Sequence, residues 1–168
     1  TTFTPAGLIN GTNVIQVTAF DQAGNASPTA TATIFFDTTN PIVAGLKIAS
    51  ADQVPGTSLL PVPQTATSNP RIEFKLTDAT FATQGNPVRV RLLKSNVALD
   101  TQTVTLVAGS DGTLTVDVSL QAVNLTPGDN ALRVEATDAA GNVTTSSAFN
   151  LFVTRPTDPT PGAPSTPV

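Results

Sequence analysis

LTPGDNALRVEATDAAGN, residues Leu125 to Asn142, has an earlier counterpart in LINGTNVIQVTAFDQAGN, residues Leu8 to Asn25. A constant offset of 117 residues pairs Gly11 with Gly128, Asn13 with Asn130, Val17 with Val134, Asp21 with Asp138 and Gly24-Asn25 with Gly141-Asn142. The same offset pairs Phe35 with Phe152 beyond the motif. In the earlier stretch Ile15, Val17 and Ala19 alternate with polar residues, and Ala32, Ile34 and Phe36 alternate with Thr31, Thr33 and Phe35, which is the period of a half-buried strand. Between the two runs, Asp21 to Asn25 supplies Gly and Asn where a tight turn needs positive φ. Each stretch therefore reads as one arm of a hairpin. The offset is about the size of one β-sandwich domain, so the pattern implies a module copied head to tail, with the chain beginning inside one copy. An isolated hairpin is marginal in water, so residues 1–37 are expected to fray, to dock on the next domain, or to pair with a second chain.

Outward from the repeat, Phe36-Asp-Thr-Thr-Asn-Pro41 is a short junction closed by a Pro, which ends strand pairing. Ile42 to Ala49 reads as the first strand of a complete domain. The Pro-containing stretch from Ser50 to Asn69 reads as a long connection lying over an edge. Arg71 to Thr77 alternates most clearly, with Ile72, Phe74 and Leu76 on one face, and Val88 to Leu92 repeats the pattern. Thr103 to Val107 and Thr113 to Ser119 come next, with Ser110-Asp-Gly112 as a turn between them. Ala131 to Thr137 and Ala148 to Thr154 reproduce the earlier hairpin. The expected fold is all-β: an immunoglobulin-like Greek-key β-sandwich of about seven strands over residues 38–154, preceded by the terminal hairpin of a truncated preceding copy. Residues 155–168 carry Pro156, Pro159, Pro161, Pro164 and Pro167 and read as an extended linker, or as a terminus with no role of its own.

Composition narrows the function classes. Thr is the most frequent residue, and 11 Gly with 14 Pro suit short strands and many turns. The net charge is −4 and the eight Lys and Arg are scattered, so there is no basic footprint for nucleic acid or an anionic membrane surface. No apolar run of spanning length and no signal peptide stands in the sequence, so no direct membrane insertion is expected, and a signal or anchor is expected outside it. There are no Cys and no His, which removes disulfides, imidazole bases, thiolate nucleophiles and the usual zinc ligands. Carboxylate catalysis would need facing acids in a cleft. The inward positions read as apolar throughout, with Glu73, Asp117 and Glu135 outward as partners of Lys75 and Arg133. No enzyme is expected. Lys47 alternates outward between Leu46 and Ile48 and reads as a surface lysine in preference to one arm of an isopeptide cross-link. Four N-x-S/T sites, at Asn10, Asn25, Asn124 and Asn142, bear only on a eukaryotic secretory context.

Calcium is the one cofactor the residues suggest. In a sandwich of this connectivity the start of the first strand and two of the inter-strand loops share a pole, which brings Asp78 and Asp138 to the junction that carries Asp37. With Asn142 or Asn40 and a backbone carbonyl they form a candidate set of hard oxygen ligands for Ca²⁺. A second reading stands beside it: Asp138 accepts backbone N–H bonds in its own turn, as Asp commonly does. By the same topology Asp21 sits at the far pole, away from this junction.

The combination G-[TD]-N-x-[IL]-x-V-x-A-x-D-x-A-G-N, followed after the last strand of the first copy by F-D-T-T-N-P, resembles the bacterial Ig-like domains repeated in large surface adhesins and other secreted proteins. The resemblance covers residues 8–41 and 125–154, while Ser50 to Ser119 carries only generic strand pattern. It implies an extracellular, non-catalytic spacer or adhesion scaffold. Its partners would be neighbouring Ig-like modules of the same chain and a surface or carbohydrate ligand, and in some such arrays junctional Asp residues bind calcium and stiffen the rod. Two other roles fit the pattern. One is an accessory, polysaccharide-binding module of a secreted enzyme, which the lack of Trp and Tyr disfavours. The other is a filament or phage-fibre subunit in which the open half-domain exchanges strands.

Overall fold

The computed structural model describes residues 7–55, 62–78, 87–108 and 114–154. Every regular element among them is a strand. The first two, β1 (Gly11–Val17) and β2 (Ala30–Phe36), form an antiparallel pair on their own. The remaining strands build a β-sandwich of two sheets. One runs β3 (Ile42–Ile48), β5 (Arg71–Asp78), β9 (Leu114–Gln121), β8 (Val107–Ala108). The other runs β4 (Gln64–Thr65), β12 (Phe149–Val153), β10 (Gly128–Thr137), β6 (Pro87–Lys94), β7 (Val97–Thr105), with β11 (Val143–Thr145) also on β10.

Period-two alternation builds the core. Ile72, Phe74 and Leu76 of β5 and Val118 and Leu120 of β9 meet Val88, Val90 and Leu92 of β6, Leu132, Val134 and Ala136 of β10, and Leu151 and Val153 of β12 in one buried cluster. Burying each large side chain contributes about 1.5–3 kcal/mol relative to leaving it exposed. The alternation does not stop at apolar residues. Asn130, Asp78 and Asp138 occupy the next inward positions and are buried, so inward sites are not all apolar. Asn130 is held there because its Nδ2 donates to the carbonyls of Thr126 and Gly128, both at 2.9 Å, and its Oδ1 accepts from Lys94 Nζ at 2.6 Å.

The hairpins β1–β2 and β10–β12 share their register. Gly11↔Phe36 through Ile15↔Ala32 map at the 117-residue offset onto Gly128↔Val153 through Leu132↔Phe149. Asn13 repeats the bonds of Asn130, donating to the carbonyls of Ile9 at 2.8 Å and Gly11 at 2.9 Å. Beyond that the two diverge. In the first, pairing continues to Val17↔Ala30, whereas in the second Ser146 interrupts it and its Oγ accepts the Val134 N–H at 3.0 Å.

Several boundaries differ from the sequence expectation. The strand expected at Thr103 to Val107 begins at Val97, because Ser95 and Asn96, at φ 50° and 65°, make a tight turn that returns the chain directly from β6. The same run then leaves one sheet after Thr105 and joins the other at Val107. The connection after Ser50 includes β4, which pairs parallel with β12 and covers that edge. Strand pairs are also redistributed: Glu73 meets Lys47 at 3.4 Å, Glu135 meets Arg91 at 2.6 Å, and Lys75 lies opposite Asp117. The expected Ser110 to Gly112 turn, most of the loop after Asp78 and the Pro-rich 155–168 lie outside the described residues.

Candidate metal centre

Both β5 and β10 run toward the pole where Ile42 pairs with Thr77. Their inward alternation ends in a carboxylate there, Asp78 on β5 and Asp138 just past β10. The two strands belong to different sheets, so sandwich packing faces these residues across the core. The third acid arrives from outside the sandwich: Asp37 comes directly after β2, in the segment that leads to the buried Pro41. One carboxylate oxygen from each of Asp37, Asp78 and Asp138 lies within 4.8 Å of the others, and all three residues are buried.

Their surroundings hold them differently. Asp37 Oδ1 accepts the Thr39 N–H at 2.7 Å, a local turn bond that fixes the side chain. Asp37 Oδ2 is buried with no hydrogen-bond partner. A buried carboxylate oxygen without a donor carries a desolvation penalty of about 1–3 kcal/mol or more, which a cation would offset. Asp138 is pinned by its turn: Oδ1 accepts the Asn142 N–H and Oδ2 accepts Asn142 Nδ2, both at 2.8 Å. Asp138 therefore forms its turn and stands in the cluster at once.

Asn142 does not point its carbonyl oxygen inward. Its Nδ2 donates to Asp138 Oδ2 and also to the Asp37 main-chain oxygen at 3.3 Å. The residue expected as a ligand thus acts by position, tying the linker to the turn after β10. Asp21 and Asn25 provide an internal control. Asn25 donates from N and Nδ2 to Asp21 Oδ1 and Oδ2, both at 2.8 Å, so the same turn forms where the described residues make no acidic cluster. The Asn25 side-chain amide, helped by backbone N–H groups, holds the exposed Asp21 carboxyl below the usual aspartate range.

The seam has further ties. Phe35 of β2 packs on the sandwich core, and Asn10 bonds the linker at Thr38 and Thr39. Sequence reasoning noted Asn10 only as an N-x-S/T site and did not foresee its bonds to the linker; its place one residue before a repeated Gly was the available signal. The oxygen-only donor set, three carboxylates at these separations, is of the kind hard cations such as Ca²⁺ take at 2.3–2.6 Å. It lacks the nitrogen and sulfur donors of zinc sites. In comparisons with known proteins, no family model matches the chain and no curated protein matches it.

Proposed function

We propose that the chain is a non-catalytic, immunoglobulin-like repeat of an exported bacterial protein, a structural spacer and adhesion scaffold whose junction is stiffened by calcium. In this reading residues 1–37 close a preceding module, 38–154 form a complete one, and 155–168 are a linker. The two hairpins with one register and matching Asn13 and Asn130 bonds support a repeated unit. The strand order β3-β5-β9-β8 against β4-β12-β10-β6-β7, with β4 parallel to the last strand, suits a Greek-key sandwich of immunoglobulin type.

The observation that carries the reading is the junctional Asp37, whose buried, partnerless Oδ2 belongs to the same cluster as Asp78 and Asp138. Asp37, Asp78 and Asp138 would hold the ion, with Asn142 and Thr39 positioning them. The ion would supply charge neutralisation and a cross-brace between linker and sandwich, which a spacer needs to transmit direction from one module to the next. Titration calorimetry with CaCl₂ tests the site: one binding event in the native chain, absent in Asp37→Ala and in Asp78→Ala. Small-angle scattering with and without calcium tests the stiffening, with a narrower distribution of dimensions expected when calcium is present. Calorimetry without heat or saturation in the native chain sinks the calcium assignment.

A further inference from the structure

The β1–β2 hairpin leaves open the face that carries Ile15, Val17, Ala19, Ile34 and Phe36. No third strand joins the pair among the described residues. Val17 is 49% exposed, Ala19 is exposed, and Ile15, Ile34 and Phe36 are only half-buried. Their equivalents at the 117-residue offset are Leu132, Val134, Ala136, Leu151 and Val153, each at most 3% exposed in the cluster that β5 and β9 of the opposite sheet complete. Two hairpins of one register thus differ in their cover. A two-stranded ribbon gains independent stability only when more strands or another layer pack on its apolar face.

We propose that a second copy of this chain supplies the cover: two β1–β2 hairpins pack these faces against each other about a twofold axis and make a small four-stranded sandwich. Neither β1 nor β2 carries a charged residue, and Asp21, in the turn, is the single charge from residue 7 to residue 36. By contrast β5, β6 and β10 carry several charges each. Like faces therefore meet without like-charge repulsion, and a partner recognised by charge finds nothing there to pair with. The two strands also pair without a bulge from Gly11↔Phe36 to Val17↔Ala30 and contain no Pro or Lys, so they lack the usual devices that keep exposed sheets from associating. Phe35 packs on the sandwich core, and its neighbours Ile34 and Phe36 project from the opposite face of β2. An isologous contact needs one self-complementary patch, and two ribbons of the same twist stack aligned.

The contact is small beside a standard interface, so a weak, concentration-dependent dimer is expected. It stands on the register and composition of the hairpin, not on the spacer role or on cation binding. In the repeat reading a preceding module covers this face within one chain; the second copy is its equivalent between chains.

Sedimentation equilibrium of the full chain from micromolar to millimolar concentration, in EGTA, tests it. The mean mass is expected to rise with concentration and to level at twice that of one chain. Val17→Lys sets a charge on the face and is expected to hold the mass at one copy. Val14→Lys, at a site 61% exposed on the other face of β1, leaves the association unchanged. Urea unfolding of both variants verifies that the sandwich is intact. A single-chain mass at every concentration overturns the proposal. So does a dimer that survives Val17→Lys, whose contact then lies elsewhere, and so does a mass that grows past two copies, because open strand edges then join the chains in place of closed faces.

Discussion

Replacing Asp37 by Asn is expected to change the sign of its effect with calcium. The three carboxylate oxygens lie within 4.8 Å of one another in a buried setting. At an effective dielectric near 20, each ionised pair at that distance repels by about 3.5 kcal/mol. Asp37→Asn removes two such pairs, and the new amide supplies a donor to its neighbours. Water and the neighbouring hydrogen-bond donors relieve part of the repulsion in the native chain, so a net gain of about 1–2 kcal/mol in chelator is the expected fraction. That raises the melting temperature by several degrees, at roughly 4 °C per kcal/mol for a domain of this size. Calcium at about 100 times its dissociation constant adds ~2.7 kcal/mol to the native chain, roughly 10 °C, and adds little to the variant. The order of stability therefore inverts: the variant melts higher in EGTA and lower in millimolar calcium. Differential scanning calorimetry of both proteins in both buffers reads this directly. If Asp37→Asn melts lower than the native chain in both buffers, the carboxylate is a structural hydrogen-bond acceptor and the metal-centre argument fails.

Leu132→Ala opens a cavity in the middle of the core and should cost about 2–5 kcal/mol in urea unfolding, whereas Val14→Ala, at 61% exposure, should stay within about 0.5 kcal/mol. Asn130→Ala leaves the Thr126 and Gly128 carbonyls without the Nδ2 donor and is expected to destabilise by about 1–3 kcal/mol, well above the effect of Asn13→Ala in the exposed hairpin. For Asp21, NMR titration should find a carboxyl pKa below that of ordinary aspartate, moved upward in Asn25→Ala. Because the folded pKa is depressed, its stabilisation is present above the unfolded pKa and is lost as pH falls through the folded one.

Much of the architecture was legible because alternation is a local property. Ile72, Phe74 and Leu76, or Leu132, Val134 and Ala136, announce both a strand and its buried face with no knowledge of what covers them. Connectivity located Asp78 and Asp138 at one pole, although alternation, followed two residues beyond each inward apolar series, also reaches them. Alternation was applied too narrowly when inward positions were read as wholly apolar. Ser95-Asn96 was passed over because neither residue is Gly, although Asn tolerates the left-handed region. The passage of β7 into β8 on the opposite sheet has no local signal, because changing sheets alters partners and not the strand's own period.

The sequence by itself determined most of the longer strands, the apolar part of their inward faces, the repeated hairpin with its Asp-to-Asn turn, and the exclusion of thiol and imidazole chemistry. Those come from residue type and spacing within a few positions. Only the tertiary structure decided that the oxygens of Asp37, Asp78 and Asp138 close to within 4.8 Å, that Asp37 Oδ2 is left without a donor, and that Asn142 turns its nitrogen inward. Distances between side chains remote in sequence are set by how two sheets stack and where a linker enters. Those are the outcome of packing the whole core, and no short stretch of the chain encodes them.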